Sequence, residues 1–179
     1  MKNYLIFGSQ GTGKSTYAPY IAEKLGVSYL TTGQLFRDEM AKSTEVGKKV
    51  SERMNQGILI DDSTTWEVLE PYLKKATAGF LLDGFPRNLN QVRVLEESGF
   101  GFKKIFYMVL DPEVAMARLL SRGRADDTEE GIRTRLDFYK KQTLPVVDHY
   151  RQLKVELVEI DNSSEPDVVK KNIDDYLKN

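Results

Sequence analysis

The segment from Tyr4 to Thr16 constrains the fold more than any other. An unbroken apolar run, Tyr4-Leu-Ile-Phe7, leads into Gly8-Ser-Gln-Gly-Thr-Gly13-Lys14-Ser15, and helical spacing follows at once. A short apolar run without polar alternation suits a strand covered on both faces, as in a parallel sheet. Glycines between such a strand and a helix let the main chain turn its N–H groups inward, toward the positive end of that helix. The run fits G-x-x-x-x-G-K-[ST], whose chemistry is phosphate binding: the lysine reaches the outer phosphates of a nucleotide and the hydroxyl can ligand Mg²⁺. With only 13 glycines in 179 residues, a chance turn is a poor alternative. Gly8, Gly11, Thr12, Gly13, Lys14, Ser15 and Thr16 are therefore candidate nucleotide-binding residues.

Four more apolar runs follow, at Val27–Leu30, Phe80–Leu82, Ile105–Leu110 and Val155–Ile160. Helical segments separate them. Val46, Val50 and Met54 recur every four residues before Gly57, and Asp111-Pro112-Glu113 combines an acidic N-cap with proline in the first turn. Ser164-Glu-Pro166 opens the last helix in a similar way. Pro19 falls inside the first helical pattern, which predicts a kink there. Trp66, Val68 and Leu69 read as helix packing, and the single histidine, His149, as a surface helix residue. Strands alternating with helices predict an α/β three-layer sandwich on a five-stranded parallel sheet, within one domain spanning 1–179. About fifty residues separate the second and third runs, more than one crossover needs, so residues 31–60 read as an inserted helical flap on the same core.

Composition removes whole classes of function. Net charge is −1, from 26 basic and 27 acidic residues, so the basic excess of a nucleic-acid binder or a membrane-surface protein is missing. Without cysteine there is no thiol catalysis and no Cys-ligated zinc, and one histidine cannot build a histidine metal cluster or a Ser-His-Asp triad. The longest wholly apolar stretch, Ile105–Leu110, is far too short to span a membrane. Tyr4–Phe7 is too short for a signal-peptide core and no small-residue cleavage site follows it. A cytoplasmic protein is expected.

A phosphate loop alone does not name a reaction, although the absence of Asn-Lys-x-Asp removes the usual guanine reader. Gly79-Phe-Leu-Leu-Asp83-Gly84-Phe85-Pro86-Arg87 closes the third strand with a carboxylate and then an arginine. A carboxylate there suits a partner for Mg²⁺ held on a nucleotide. This segment with Asn88-Leu-Asn-Gln91 resembles the most characteristic segment of the adenylate kinase family of nucleoside monophosphate kinases. Thr31-Thr32-Gly33-Gln-Leu-Phe-Arg37 resembles that family's acceptor motif, Gly57-Ile-Leu-Ile60 the turn after it, and Arg124-Ala-Asp126-Asp127 its lid-exit motif. Arg135-Leu-x-x-Tyr139 and Thr143-x-Pro145-x-x-x-x-Tyr150 continue the likeness, which covers essentially the whole chain.

The resemblance implies Mg²⁺-dependent phosphoryl transfer between ATP and AMP. The attacking oxygen would belong to a phosphate that is already anionic, so no general base is needed, and catalysis reduces to positioning and charge neutralisation. By similarity Arg37 and Arg87 grip the AMP phosphate, with Gly33 and Gly84 beside it; Arg122, Arg124 and Arg135 surround the ATP phosphates with Lys14; Arg118 stacks on the ATP adenine. Ser15 and Asp83 would hold Mg²⁺, partly through water. Thr32 stands where AMP-selective members carry Thr and pyrimidine-selective members carry Ala, and Gln91 can offer a donor and an acceptor to the adenine edge. The Leu59–Ile60 backbone would lie along that base. Asp126 and Asp127 are either acidic N-caps, with Glu129 and Glu130 three residues on, or groups that orient Arg122 and Arg124. A monomer is the family default, with a homo-oligomer left open. The alternatives are a UMP/CMP or broad-specificity monophosphate kinase and, from another class, a nucleotide-gated module or regulatory ATPase.

The chain departs from the family in three places. Gln10, Thr12 and Ser15 replace common loop residues, Gln34 replaces an acidic residue, and only Gly123 separates Arg122 from Arg124 where relatives carry a lid. A lid excludes water and closes over the donor. With residues 122–127 as a vestige of one, donor-base discrimination should be loose: turnover with ATP, GTP and CTP is expected to be comparable, and a steep ATP preference in a donor-competition assay would contradict this.

Overall fold

The computed structural model of the chain describes residues 2–42, 44–55, 60–122, 128–153 and 155–178, with only the backbone at 54, 55 and 122. Strands β1 (Asn3–Phe7), β2 (Ser28–Thr31), β3 (Phe80–Asp83), β4 (Lys104–Val109) and β5 (Glu156–Asp161) form a parallel sheet in the order β2-β3-β1-β4-β5. The strand that feeds the phosphate loop is thus central, and all five of its residues are buried. Its alternate side chains point into two different cores. Leu5 and Phe7 join Phe80, Leu82 and Ile105 on one face, while Tyr4 and Ile6 join Leu81, Phe106 and Met108 on the other.

Helices α1 (Lys14–Leu25) and α9 (Pro166–Lys178) cover the second face through Ala18, Ile21, Val169 and Ile173. Helices α4 (Asp62–Lys75), α5 (Leu89–Glu97) and α8 (Leu144–Gln152) cover the first through Leu69, Leu73, Leu95 and Val147. Each such fully buried side chain contributes about 1.5–3 kcal/mol of transfer free energy. The three-layer expectation therefore holds, and α1 runs through Pro19 as one helix.

Between β2 and β3 stand three helices rather than a single crossover: α2 (Thr32–Ala41), α3 (Glu45–Asn55) and α4. Leu35 of α2 and Val50 of α3 are buried in the same core as Phe85 and Leu69, so this segment is built onto the sheet domain. Thr44 tightens the α2–α3 corner by accepting a hydrogen bond from the Gly47 N–H at 2.9 Å and donating to Glu39 at 2.6 Å. Trp66 stacks at 6.0 Å on Phe85, as a packing residue of α4 would.

Helix α6 (Pro112–Arg122) carries the anticipated Asp111 cap, which accepts from the Glu113 N–H at 2.8 Å. Helix α7 (Glu129–Phe138) has Thr128 as its N-cap, which accepts from the Gly131 N–H at 3.1 Å; Asp126 and Asp127, read as caps or as groups that orient Arg122 and Arg124, lie outside the described residues. A hydroxyl adjacent to the first turn reaches the N3 donor. The helix also widens into a π turn over Tyr139–Thr143 before α8. Pro145 lacks the N–H that would bond one turn back and its ring crowds that turn, so the ladder opens there.

Strand β3 begins tightly against β1. Gly79 adopts φ +105°, and a Cβ there would run into the Lys2 carbonyl. Gly79→Ala is expected to lower unfolding free energy by about 2–3 kcal/mol, combining backbone strain with overpacking, as read from the urea midpoint by circular dichroism.

Candidate active site

Parallel strands gather their carboxyl ends on one edge, and ligands of open α/β sheets bind in the crevice outside that edge. The β1–β3 register sets Ile6 beside Asp83, and the β2–β3 register sets Thr31 beside Asp83. A cavity of about 700 Å³ opens there, lined by Gly8, Gly11, Gly13, Lys14, Ser15 and Thr16 of the loop together with Asp83, Gly84, Arg87 and Arg118. Thr12 is buried beneath it, donating to the Ser9 carbonyl at 2.8 Å and so fixing the loop's turn. The Lys14 ammonium donates to the Gly8 carbonyl and, at 2.9 Å, to that of Ser9. Burial pushes its pKa down, and the charge of Asp83 opposes that shift.

The loop is held from the far side by a residue that sequence reading passed over. Asn162, buried just after β5, donates from Nδ2 to the Thr12 carbonyl at 3.0 Å. Its own N–H donates to Val109, and its carbonyl accepts from the Arg118 guanidinium at 3.1 Å. Gly13 has φ +88°, and a side chain there would collide with the Asn162 amide. The available signal was positional, since a polar residue at the carboxyl end of a parallel strand faces the crevice.

Asp83 is buried at the mouth of β3 and accepts from the Tyr29 hydroxyl at 3.1 Å. Burial raises the pKa of that phenol, which keeps it a hydrogen-bond donor. Ser15 and Asp83 line the same cavity. Among the described residues no cluster of three metal-ligating side chains exists. That donor set suits Mg²⁺, which keeps waters and substrate phosphates and takes one or two protein oxygens.

A second cavity of about 400 Å³ adjoins the first and includes Thr32, Gly33, Ile60, Gly84, Arg87 and Gln91. Gly33, Gly84, Arg87 and Phe138 line both, so the cavities meet at the arginine. Arg87 is pinned at three points. Its N–H donates to Gln91 at 2.7 Å, its Nε to the Gly84 carbonyl at 2.8 Å, and its carbonyl accepts from Thr143 of the π turn at 3.0 Å. The Thr32 hydroxyl donates to the same Gly84 carbonyl at 3.3 Å.

Not every anticipated residue comes into these cavities. Arg37 lies exposed above Gly33, its guanidinium on Gln34 at 2.7 Å, and Arg135 donates along α7 to the Gly131 carbonyl at 3.2 Å; neither lines either of these two cavities. Leu59, Arg124, Asp126, Asp127 and the side chain of Arg122 lie outside the described residues. Arg53 lines the second cavity and pairs with Asp61 at 3.3 Å, a contribution that periodicity along α3 could not reveal. His149 sits away from both cavities on Glu96 at 2.9 Å. Asn162→Ala is expected to raise the donor-nucleotide KM about three- to tenfold, the worth of one hydrogen bond, while the KM of the acceptor stays within twofold; steady-state kinetics against each substrate checks it.

Comparison with known proteins places the chain in a family. The family model described as adenylate kinase matches residues 6–155. An adenylate kinase of Prochlorococcus marinus (strain MIT 9515) is 41% identical over 160 residues, covering 87% of this chain and 88% of that protein. Another, of Synechococcus sp. (strain RCC307), is 41% identical over 157 residues, 85% of this chain and 86% of its own. An adenylate kinase of Corynebacterium aurimucosum is 39% identical over 153 residues, 82% and 84% respectively. With its phosphate loop, its adjoining cavity and this likeness along most of its length, the chain belongs to the adenylate kinase family.

Proposed function

We propose that this chain is an ATP:AMP phosphotransferase that interconverts ATP and AMP with two ADP. The observation that carries the reading is the junction of the two cavities at Gly84 and Arg87, which suits two nucleotides meeting end to end. ATP would occupy the larger cavity, its phosphates on the loop N–H groups and Lys14 and its base beside Arg118. AMP would occupy the smaller, its base toward Gln91 and Ile60 and its phosphate at Arg87 and Arg37.

In the transfer, an anionic oxygen of the AMP phosphate bonds to the γ-phosphorus as the bond to the bridging oxygen of ADP breaks. No proton has to be removed, which fits a site whose described residues include no histidine. Arg87 holds the incoming phosphate and spreads positive charge over the reacting centre, and its three anchors spare it reorganisation as the charge moves. Lys14 leaves its loop carbonyls for the outer phosphates. By likeness to the family, Arg122, Arg124 and Arg135 would complete the cationic shell from the donor side. Ser15 and Asp83 would hold Mg²⁺, the aspartate partly through water and oriented by Tyr29. Bound with ATP, that ion neutralises charge on the β- and γ-phosphates.

Residues 31–60 serve as the monophosphate-binding insertion and 122–127 as a minimal lid on a single domain spanning 1–179. Among the described residues no helix is long and apolar enough to cross a membrane. By likeness to the family we assign the enzyme to the cytoplasm, with a monomer as the default state and a homo-oligomer as the alternative. The deciding experiment is a coupled assay of ADP production from MgATP with AMP, UMP, CMP or no acceptor. Rapid ADP formation with AMP alone is expected; formation independent of acceptor would make the chain an ATPase, and equal rates with UMP or CMP would remove the acceptor assignment.

A further inference from the structure

The acceptor-side cavity contains a carboxamide whose two ends are already assigned partners of opposite character. Gln91 Oε1 accepts from the Arg87 main-chain N–H at 2.7 Å, and Nε2 donates to Asp62 Oδ1 at 2.7 Å. The main-chain N–H can only donate and the carboxylate accepts, so turning the amide over would set an NH₂ against an N–H and an oxygen against a carboxylate. Asp62 is itself fixed. It accepts from Asn88 Nδ2 at 3.1 and 3.3 Å, and Asn88 in turn accepts from the Gln91 N–H at 2.9 Å as the cap of α5. Gln91 is 5% exposed, and Asp62, Asn88, Gln91 and Arg87 all line the second cavity.

We propose that Asp62 and the Arg87 main-chain N–H lock the Gln91 carboxamide in one orientation, making the acceptor site select a 6-amino purine over a 6-oxo purine. The inference rests on the reading of this cavity as the monophosphate site. The two internal bonds use one lone pair and one N–H, and a primary carboxamide has a second of each. Adenine offers a donor at its 6-amino group beside an acceptor at N1, which matches an oxygen and an N–H held in this order. Hypoxanthine and guanine offer an acceptor at O6 beside a donor at N1, which requires the reverse order. A locked amide meets them with two repulsive contacts, and a site built this way rejects the wrong edge more strongly than one that merely loses a contact. Asp62 is thus a positioning residue: it sets which edge Gln91 presents. The lock does not separate adenine from cytosine, whose 4-amino group and N3 repeat the same order, so exclusion of pyrimidines must rest elsewhere in the cavity.

Three purine monophosphates with graded edges test this in the native protein by calorimetric affinity and by kcat/KM with MgATP: AMP, purine riboside monophosphate, which has N1 but nothing at position 6, and IMP. A locked amide predicts affinity falling about tenfold from AMP to the unsubstituted purine and about tenfold again to IMP. An amide free to turn predicts that IMP, able to form two bonds, outranks the unsubstituted purine, and that ranking overturns the proposal. In Asp62→Asn, a side chain that can present either an oxygen or an NH₂ to Gln91, the AMP-to-IMP gap is expected to narrow at least about tenfold. A purely structural role for Asp62 would weaken all three ligands equally, and an unchanged gap in the variant overturns the lock. AMP that neither binds nor accepts phosphate would remove the phosphotransferase reading with it, whereas AMP and IMP used equally well by the native protein would remove the lock alone.

Discussion

The alignment of β3 on β1 is the contact from which the site hangs. Because Ile6 lies beside Asp83 and the chain leaves both strands toward the same crevice, the phosphate loop and the Gly84–Arg87 turn emerge side by side. The alignment is held by side chains from two cores at once, since neighbouring residues of each strand enter opposite faces. A slip by one residue would exchange those faces along the whole strand. Asp83, whose carboxylate needs the cavity and the Tyr29 hydroxyl, would then have to enter a hydrocarbon layer instead.

Charge is concentrated against this neutral background. The chain as a whole carries a formal −1, yet Lys14, Arg87 and Arg118 open on one cavity, with Arg53 at its neighbour. Cations held together repel unless something offsets them, and the protein offers main-chain oxygen for the purpose: Gly8 and Ser9 for Lys14, Gly84 for Arg87, Asn162 for Arg118. Dipoles of this kind orient a cation without cancelling its charge. The Asp83 carboxylate in the same cavity offsets part of the repulsion between Lys14 and Arg87 by its charge.

What could be read from the sequence was whatever depends on local order. Strand boundaries, the loop and the Asp111 cap follow from contiguous residues, and the five strands lie within a residue or so of the apolar runs. Motif likeness then supplied residues that spacing never could, such as Arg87 and Gln91. What escaped were the partners of those residues. Asn162 reaches Thr12 across 150 positions, Thr143 reaches Arg87 across 56, and Asp62 reaches Gln91 across 29. A polar residue in a turn or a helix end shows nothing of such reach until the chain is folded. The Thr128 cap of α7 also escaped, because the acidic residues before it offered the same pattern to a reader of the sequence.

The Asn162 clamp has a bearing on how the protein comes into being. The phosphate loop follows β1, yet the amide that braces it and the carbonyl that anchors Arg118 lie beyond β5. A contact across 150 positions is highly non-local, and its loop-closure cost must be met before the contact rewards it, so it belongs among the late events of folding. A nascent chain can have its Gly-rich turn long before it has the bracing for it. Firm bracing of the phosphate loop therefore waits on the residues just beyond β5.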